Sequence, residues 1–255
     1  MTTNEEVLSH LILLSRNLGN PIYDYAILGE GNTSAKNDTE TFWVKASGSE
    51  LRTIDETGFV KVRFDRCIDL LQGKDLTDDE VKTALEASRA DPSATRRPSV
   101  ETFLHALALN LDGVNFVGHT HPIAVNAIMC SQNAEKAISG RLFPDEIVVC
   151  GPAPVFIPYT DPGLPLARKV FSEVNFYLDR YGQTPKVILM QNHGFIAIGK
   201  TASEVENITA MYVKTARILQ ATFSLGGPHF LSPENVERIH KRPDEIYRRK
   251  ILGSI

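Results

Sequence analysis

The sequence predicts an α/β sandwich built on a mixed or antiparallel sheet. Three observations predict it. Short apolar runs with strand character are interleaved with stretches whose apolar residues recur at helical spacing. The alternation lacks the regular βαβα rhythm of a doubly wound parallel sheet. The chain has 255 residues, 42% of them apolar and 23% charged, which supplies a substantial core and excludes disordered and fibrous classes.

Each element has its own signal. Asn4 can cap an opening helix in which Val7, Leu8, Leu11, Ile12, Leu14 and Leu18 recur, and Gly19 stands where a left-handed closing residue is expected. Residues 25–28, Thr41–Lys45 and Phe59–Arg63 read as short strands separated by glycine-containing turns. Thr77 and Glu80 form a capping box that starts a second helix. Residues 91–97 are a polar loop. Residues 99–109 read as helix and 114–121 as strand, and Pro122 suits the first turn of a helix running to about Cys130. Residues 147–149 and Val155–Ile157 read as short strands, and five prolines between Pro152 and Pro165 stiffen the chain around them. A helix follows over 166–181, then buried-type strands at Val187–Met190 and 195–198. Thr201 and Glu204 form another capping box, opening a long helix toward Gln220. No repeat or low-complexity stretch divides the chain, so 1–255 reads as a single domain with 221–255 as a C-terminal extension.

Charge and cysteine usage narrow the function classes. Lys and Arg number 27 against 31 Asp and Glu, a net charge of −4, so the basic footprint of a nucleic-acid binder is absent. No apolar run approaches the roughly 18 residues of a membrane-spanning helix, and the acidic opening lacks a signal-peptide pattern. Cys67, Cys130 and Cys150 are odd in number and far apart, which argues against a disulfide framework and fits a reducing cytoplasm. The expectation is a cytoplasmic protein acting without nucleic acid or membrane.

The histidines carry the chemistry. His119 and His121 lie two apart at the end of a predicted strand, where alternate side chains share a face. His193, in the turn Gln191-Asn192-His193-Gly194 between two apolar strands, can supply a third imidazole. Three protein ligands with an open fourth position is the arrangement of a catalytic zinc. His105, four residues after Glu101 on a helix, is a competing ligand. Glu101 itself reads two ways: an acidic residue favoured in a first helical turn, or a general acid/base facing a metal. Two small polar loops, 29–34 and 46–49, can cradle an anion with backbone N–H groups, with Lys36 and Lys45 nearby, although each dipeptide is also an ordinary turn. A Schiff-base role for either lysine is set aside, because neither reads as clearly buried and the histidines would then have no function. No phosphate-binding nucleotide loop is present.

Taken in order, Gly31-Asn32-Thr33-Ser34, Trp43-Val44-Lys45-Ala46-Ser47-Gly48, Pro98-Ser99-Val100-Glu101, His119-Thr120-His121 and Asn192-His193-Gly194 resemble the class II aldolase/adducin family. The resemblance runs from about residue 8 to residue 219. That family contains fuculose- and rhamnulose-phosphate aldolases and ribulose-5-phosphate 4-epimerases. The wording looks closest to aldolase domains fused to dehydrogenases, and no dehydrogenase sequence stands within these 255 residues.

The resemblance implies a three-layer α/β/α sandwich with a central mixed, largely antiparallel sheet. It implies that His119, His121 and His193 bind Zn²⁺, with Mn²⁺ an alternative, that Glu101 is the catalytic acid/base, and that Asn32, Ser47, Gly48 and Ser99 bind a substrate phosphate. Val100 departs from the pattern, where a second serine is common. The family's aldolases also use a tyrosine from a neighbouring subunit after the H-x-H helix; here that region reads Ser139-Gly140-Arg141-Leu142-Phe143, and Tyr247 is the substitute. The implied function is a zinc-dependent aldolase that cleaves a ketose or ketose phosphate through a metal-stabilised enediolate, as a homotetramer with a sugar or sugar-phosphate substrate. A sugar-phosphate 4-epimerase, a sugar-acid decarboxylase and a non-catalytic adducin-like domain are the alternatives. Epimerases of the family tend to carry Asp where Glu101 stands, and adducin-like heads lack the full histidine set.

Overall fold

The computed structural model describes residues 4–71, 73–74 and 76–251. Helix α1 (Asn4–Leu18) precedes a meander of three strands, β1 (Asn32–Lys36), β2 (Thr41–Lys45) and β3 (Phe59–Arg63). Helices α2 (Phe64–Leu71), α3 (Asp78–Ala87) and α4 (Thr102–Leu109) lead to β4 (Phe116–Thr120). Helices α5 (Ile123–Met129), α6 (Ala134–Ala137) and α7 (Pro144–Cys150) lead to β5 (Val155–Ile157). Helix α8 (Leu164–Tyr181) precedes β6 (Val187–Met190) and β7 (Gly194–Gly199). Helices α9 (Ala202–Phe223), α10 (Pro233–Lys241) and α11 (Pro243–Ile251) follow.

The strands form one seven-stranded sheet in the order β3-β2-β1-β4-β7-β6-β5. Every pairing is antiparallel except β5 with β6. Alternation along the central strands separates two cores. Val187, Leu189, Phe195 and Ala197 pack with Leu11 and Leu14 of α1 and Val205 and Ile208 of α9. Ile188, Met190, Ile196 and Ile198 pack with Phe103 and Leu107 of α4 and Val170 and Val174 of α8. A sheet with both faces covered explains why β6 and β7 read as unbroken apolar runs. The three-layer sandwich with a mixed, largely antiparallel sheet is the observed architecture.

Several local expectations are corrected. Residues 25–28 are a loop, not a strand: Asp24 (φ 56°) and Leu28 (φ 51°) are left-handed, and Ile27 and Leu28 are exposed. The first strand is β1, whose Asn32, Thr33 and Ser34 are buried between β2 and β4. Its polar side chains hide it from a hydrophobicity reading. They are tolerated inside because they are paired, as where the Ser15 and Thr33 hydroxyls meet at 2.6 Å. Residues 147–149 belong to α7, which starts at Pro144 with Asp145 and Glu146 in its first turn. Its Ile147-Val148-Val149-Cys150 run is buried on every side, so period cannot separate helix from strand there. Gly19 is not left-handed; a Cβ there would lie 2.4 Å from the Arg52 backbone nitrogen, so close packing requires the glycine. Pro122 sits just ahead of α5 at ψ 130° rather than inside it. The Thr77–Glu80 box is complete, whereas Glu204 bonds the Lys200 N–H in place of the second half of its box. The sequence reading missed α2, α6, α10 and α11. The last two pack against α7 and each other.

Candidate metal centre

Strand β4 ends by delivering His119 and His121 to the same face. His193 arrives from the tight β6–β7 turn, where Asn192 is left-handed at φ 54°. Two glycines make the approach possible. A Cβ on Gly194 would stand 2.6 Å from His121 Cδ2, and one on Gly31 (φ 68°) would stand 2.7 Å from the His119 carbonyl oxygen. Ring centroids are 4.7 Å apart for His119 and His121, 5.0 Å for His119 and His193, and 5.3 Å for His121 and His193. One nitrogen from each ring falls within 4.8 Å of the others.

The tautomers follow from the outer partners. His119 Nδ1 lies 3.0 Å from the Phe195 carbonyl, and His121 Nδ1 lies 3.1 Å from Glu30 Oε2. Both partners only accept, so each Nδ1 carries the proton and each Nε2 presents a lone pair. Burial holds both rings near a pKa of about 4, so both are neutral at pH 7. The two Nε2 atoms are nevertheless 3.0 Å apart. Two lone pairs at that separation repel unless an electropositive centre lies against them. The donor set therefore fits a divalent ion of the kind that takes imidazole nitrogen. His193 completes it, with Nε2 3.0 Å from Glu101 Oε1 and its backbone carbonyl held by the Asn126 amide at 3.0 Å.

Glu101 stands one residue before α4, in the cap position rather than in the first turn. It is 8% exposed. Its second oxygen accepts from Asn32 Nδ2 at 2.6 Å and lies 3.4 Å from His119 Nε2. Burial pushes its pKa up, but His119, the His193 hydrogen bond and the Asn32 amide together outweigh burial and hold it well below the usual carboxylate range. The carboxylate is ionised at neutral pH.

His105 is fully buried but stands outside the imidazole cluster. Both of its ring nitrogens are engaged, Nδ1 with Ser34 Oγ at 2.6 Å and Nε2 with Asn32 Oδ1. Its competing-ligand reading is thereby replaced by a hydrogen-bonded one.

The other expected residues lie on the open side. Ser47 and Gly48 are exposed, and Gly48 has φ 80°. Their loop is tied to the segment carrying Ser99 by the Ser47 N–H to Arg97 carbonyl bond at 2.8 Å and an Ala46–Pro98 bridge. Ser99 Oγ accepts from Asn32 Nδ2 at 3.2 Å and from the Glu101 N–H at 3.3 Å. Both amide hydrogens of Asn32 are thus engaged. Val100 is 55% exposed, and Tyr247 is exposed on α11. Lys45, against expectation, is buried, and its ammonium donates to the Gly29 carbonyl at 2.9 Å and the Ser49 carbonyl at 2.5 Å. Burial lowers its pKa while Glu101 and Glu50 raise it. It straps together the two loops that the sequence singled out. Glu30 and Asn126, the outer partners of His121 and His193, were missed. Glu30 was visible only as part of the polar loop 29–34.

The family described as class II aldolase and adducin N-terminal domain matches residues 10–220. An uncharacterized oxidoreductase of Bacillus subtilis (strain 168), YuxG, is 30% identical over 200 residues, 75% of this chain; the chain spans only 26% of YuxG. The N-terminal class II aldolase domain of a conserved Thermoplasma acidophilum protein is 30% identical, with a TM-score of 0.65 over 82% of this chain and 92% of that one. L-fuculose 1-phosphate aldolase from Glaciozyma antarctica PI12 shares the fold at 15% identity, with a TM-score of 0.66 over 94% of this chain and 84% of its own. YgbL of Escherichia coli, described as an aldolase, epimerase or decarboxylase, shares it at 19% identity, with a TM-score of 0.66 over 93% of this chain and 99% of its own.

Proposed function

Because the chain belongs to the class II aldolase and adducin N-terminal domain family, we propose that it is a metal-dependent aldehyde-lyase cleaving a ketose or ketose phosphate by retro-aldol chemistry. The observation that carries this reading is the place of Glu101: an ionised, nearly buried carboxylate between His119 and His193, aimed by Asn32. His119, His121 and His193 would hold the ion, zinc in the first instance and Mn²⁺ as the alternative. When bound, such an ion supplies Lewis-acid polarisation of carbonyl and hydroxyl oxygens.

The chain's own groups do the rest. Glu101, ionised at rest, takes up the proton that the substrate hydroxyl gives up as its carbon leaves as the aldehyde, and passes it to the substrate carbon left with the bonding electrons; the reverse direction moves the same proton back. Burial of Glu101 and His119 keeps water from competing for that proton. Ser47, Gly48 and Ser99 receive the anionic end of the substrate, and Asn32 serves that end by fixing the Ser99 hydroxyl. Backbone N–H groups of a left-handed glycine turn suit an anion.

The whole chain acts in this reading as one domain with 221–255 an extension, of which α10 and α11 pack against α7. A homotetramer is proposed with it, supported by exposed Ile22, Ile27 and Leu28 in the loop that meets His121 through the His121 N–H to Tyr25 carbonyl bond, and by exposed Ile123 at the start of α5. Sedimentation tests the assembly; a fully active monomer refutes it. A cytoplasmic setting is supported by three free cysteines, and no helix among the described residues is long and apolar enough to cross a membrane.

The direct test is a cleavage screen over ketose phosphates and free ketoses with the metal content measured. Release of an aldehyde that depends on metal supports the reading. Inversion at C4 without cleavage, or carbon dioxide from a sugar acid, replaces it with the epimerase or decarboxylase alternative.

A further inference from the structure

Building on the reading of Glu101 as the acid/base, we propose that His105 is a positioning residue that aims this carboxylate through Asn32. The evidence is an interleaved set of four side chains. Strand β1 supplies Asn32 and Ser34, two apart and therefore on one face. The start of α4 supplies Glu101 and His105, four apart and joined by the His105 N–H to Glu101 carbonyl bond at 3.2 Å. Across the gap they alternate as Ser34, His105, Asn32, Glu101.

The donor and acceptor atoms set the direction of every bond. The Asn32 NH₂, which only donates, lies 2.6 Å from Glu101 Oε2. Asn32 Oδ1 then faces His105 Nε2, which must carry a proton to donate. Nδ1 is left as a lone pair and takes the Ser34 hydroxyl proton at 2.6 Å. Reversing any one member would set two acceptors or two donors face to face in a place where burial leaves no other partner. His105 is fully buried, out of reach of bulk water. Its ring thus fixes one amide orientation: both Asn32 hydrogens point away from His105, one to Glu101 and one to Ser99.

An apolar residue at 105 would fill the space but free that amide to turn. Misplacing a reacting group by about 1 Å can cost about 10²-fold in rate. The expected signature is therefore on kcat and not on KM or metal content. Histidine ¹⁵N NMR on the metal-loaded protein is the first measurement, with the His105 signals assigned by their loss in His105→Gln. It should show the neutral Nε2–H form at neutral pH. An Nδ1–H form overturns the proposal, and because no turnover is needed, this outcome is separate from failure of the lyase reading. The second measurement is kinetic. His105→Leu should lower kcat about 10²-fold at unchanged KM. His105→Gln, whose amide can still donate to Asn32, should recover most of it. Equal losses in the two variants, or losses that follow melting temperature alone, overturn the proposal. If His105→Leu does not fold, Ser34→Ala serves in its place, with a several-fold fall in kcat at unchanged KM expected and no change in kcat against it.

Discussion

On one side of Asn32 stand Glu101 at 8% exposure and His119 at 1%, with one nitrogen of each imidazole in the cluster held by a partner outside the three rings. On the other stand Ser47 and Gly48, both exposed, and Val100 at 55%. The inner half is laid on β1, β4 and the start of β7, where the backbone is pinned by the sheet. The outer half is laid on turns, pinned at a few points such as the Lys45 strap. The difference teaches how the work is divided. Groups that move protons or bind metal must be fixed and dry, because an error of an ångström or a stray water is expensive. Groups that receive the far end of a substrate can stay open, because a backbone N–H in water costs little until it is used.

That contrast can be broken or sharpened, beginning with the largest effect. Glu101→Gln keeps shape and hydrogen-bonding length but cannot take the proton; turnover should fall about 10²–10⁴-fold with metal retained. Steady-state kinetics beside metal analysis checks both, and a variant keeping most of its turnover removes Glu101 from the chemistry. Next is an outer partner. Glu30→Ala leaves His121 without the carboxylate that fixes its tautomer, and metal affinity should weaken about 10–100-fold in a competition titration. An unchanged affinity would mean that the inner half tolerates loose ligands.

A third effect concerns acid. In chelator-treated protein, His105, His119 and His121 each have a folded pKa lowered by burial from the model-peptide 6.5 to about 4. A histidine kept neutral in the fold stabilises it above the unfolded pKa, and that stability drains away as pH falls from about 6.5 toward 4. Melting temperature should drop across that window, and bound metal should hold it up near pH 6.5. A flat profile from pH 7 to 4.5 contradicts the neutral, buried histidines.

The smallest effects belong to the outer half. Ser99 does not cap α4, since Glu101 holds the cap position, so Ser99→Ala should raise KM for a charged ketose a few-fold while the melting temperature moves by less than a lost cap of about 1 kcal/mol would cause. Val100→Ser should lower KM for a phosphorylated ketose. No change in either, or a preference for uncharged ketoses, places the anion elsewhere.

What the sequence made legible follows the same divide. The spacing of His119 and His121 speaks for itself, because strand period places both on one face whatever surrounds them. The apolar runs of β6 and β7 likewise announce buried strands. Strand β1 did not, because its Asn32, Thr33 and Ser34 are stabilised inside by partners from α1, α4 and β4 that only tertiary structure brings near. Residues 147–149 misled because a helix buried all round has no polar face to reveal its period. His105 shows the limit most clearly. Four residues after Glu101 it shares a helix face with the acid, which is as much as spacing can say. Whether it ligates a metal or bonds to Asn32 depends on a strand more than 70 residues away in sequence.

The central claim is that His119, His121 and His193 hold one divalent ion against Glu101. Metal analysis of the purified chain and of four single variants tests it most directly. The account predicts about one divalent ion per chain in the unmodified protein, loss of that ion in His119→Ala, His121→Ala and His193→Ala, and retention in His105→Ala. Unchanged occupancy in all three cluster variants, or loss in His105→Ala alone, contradicts it.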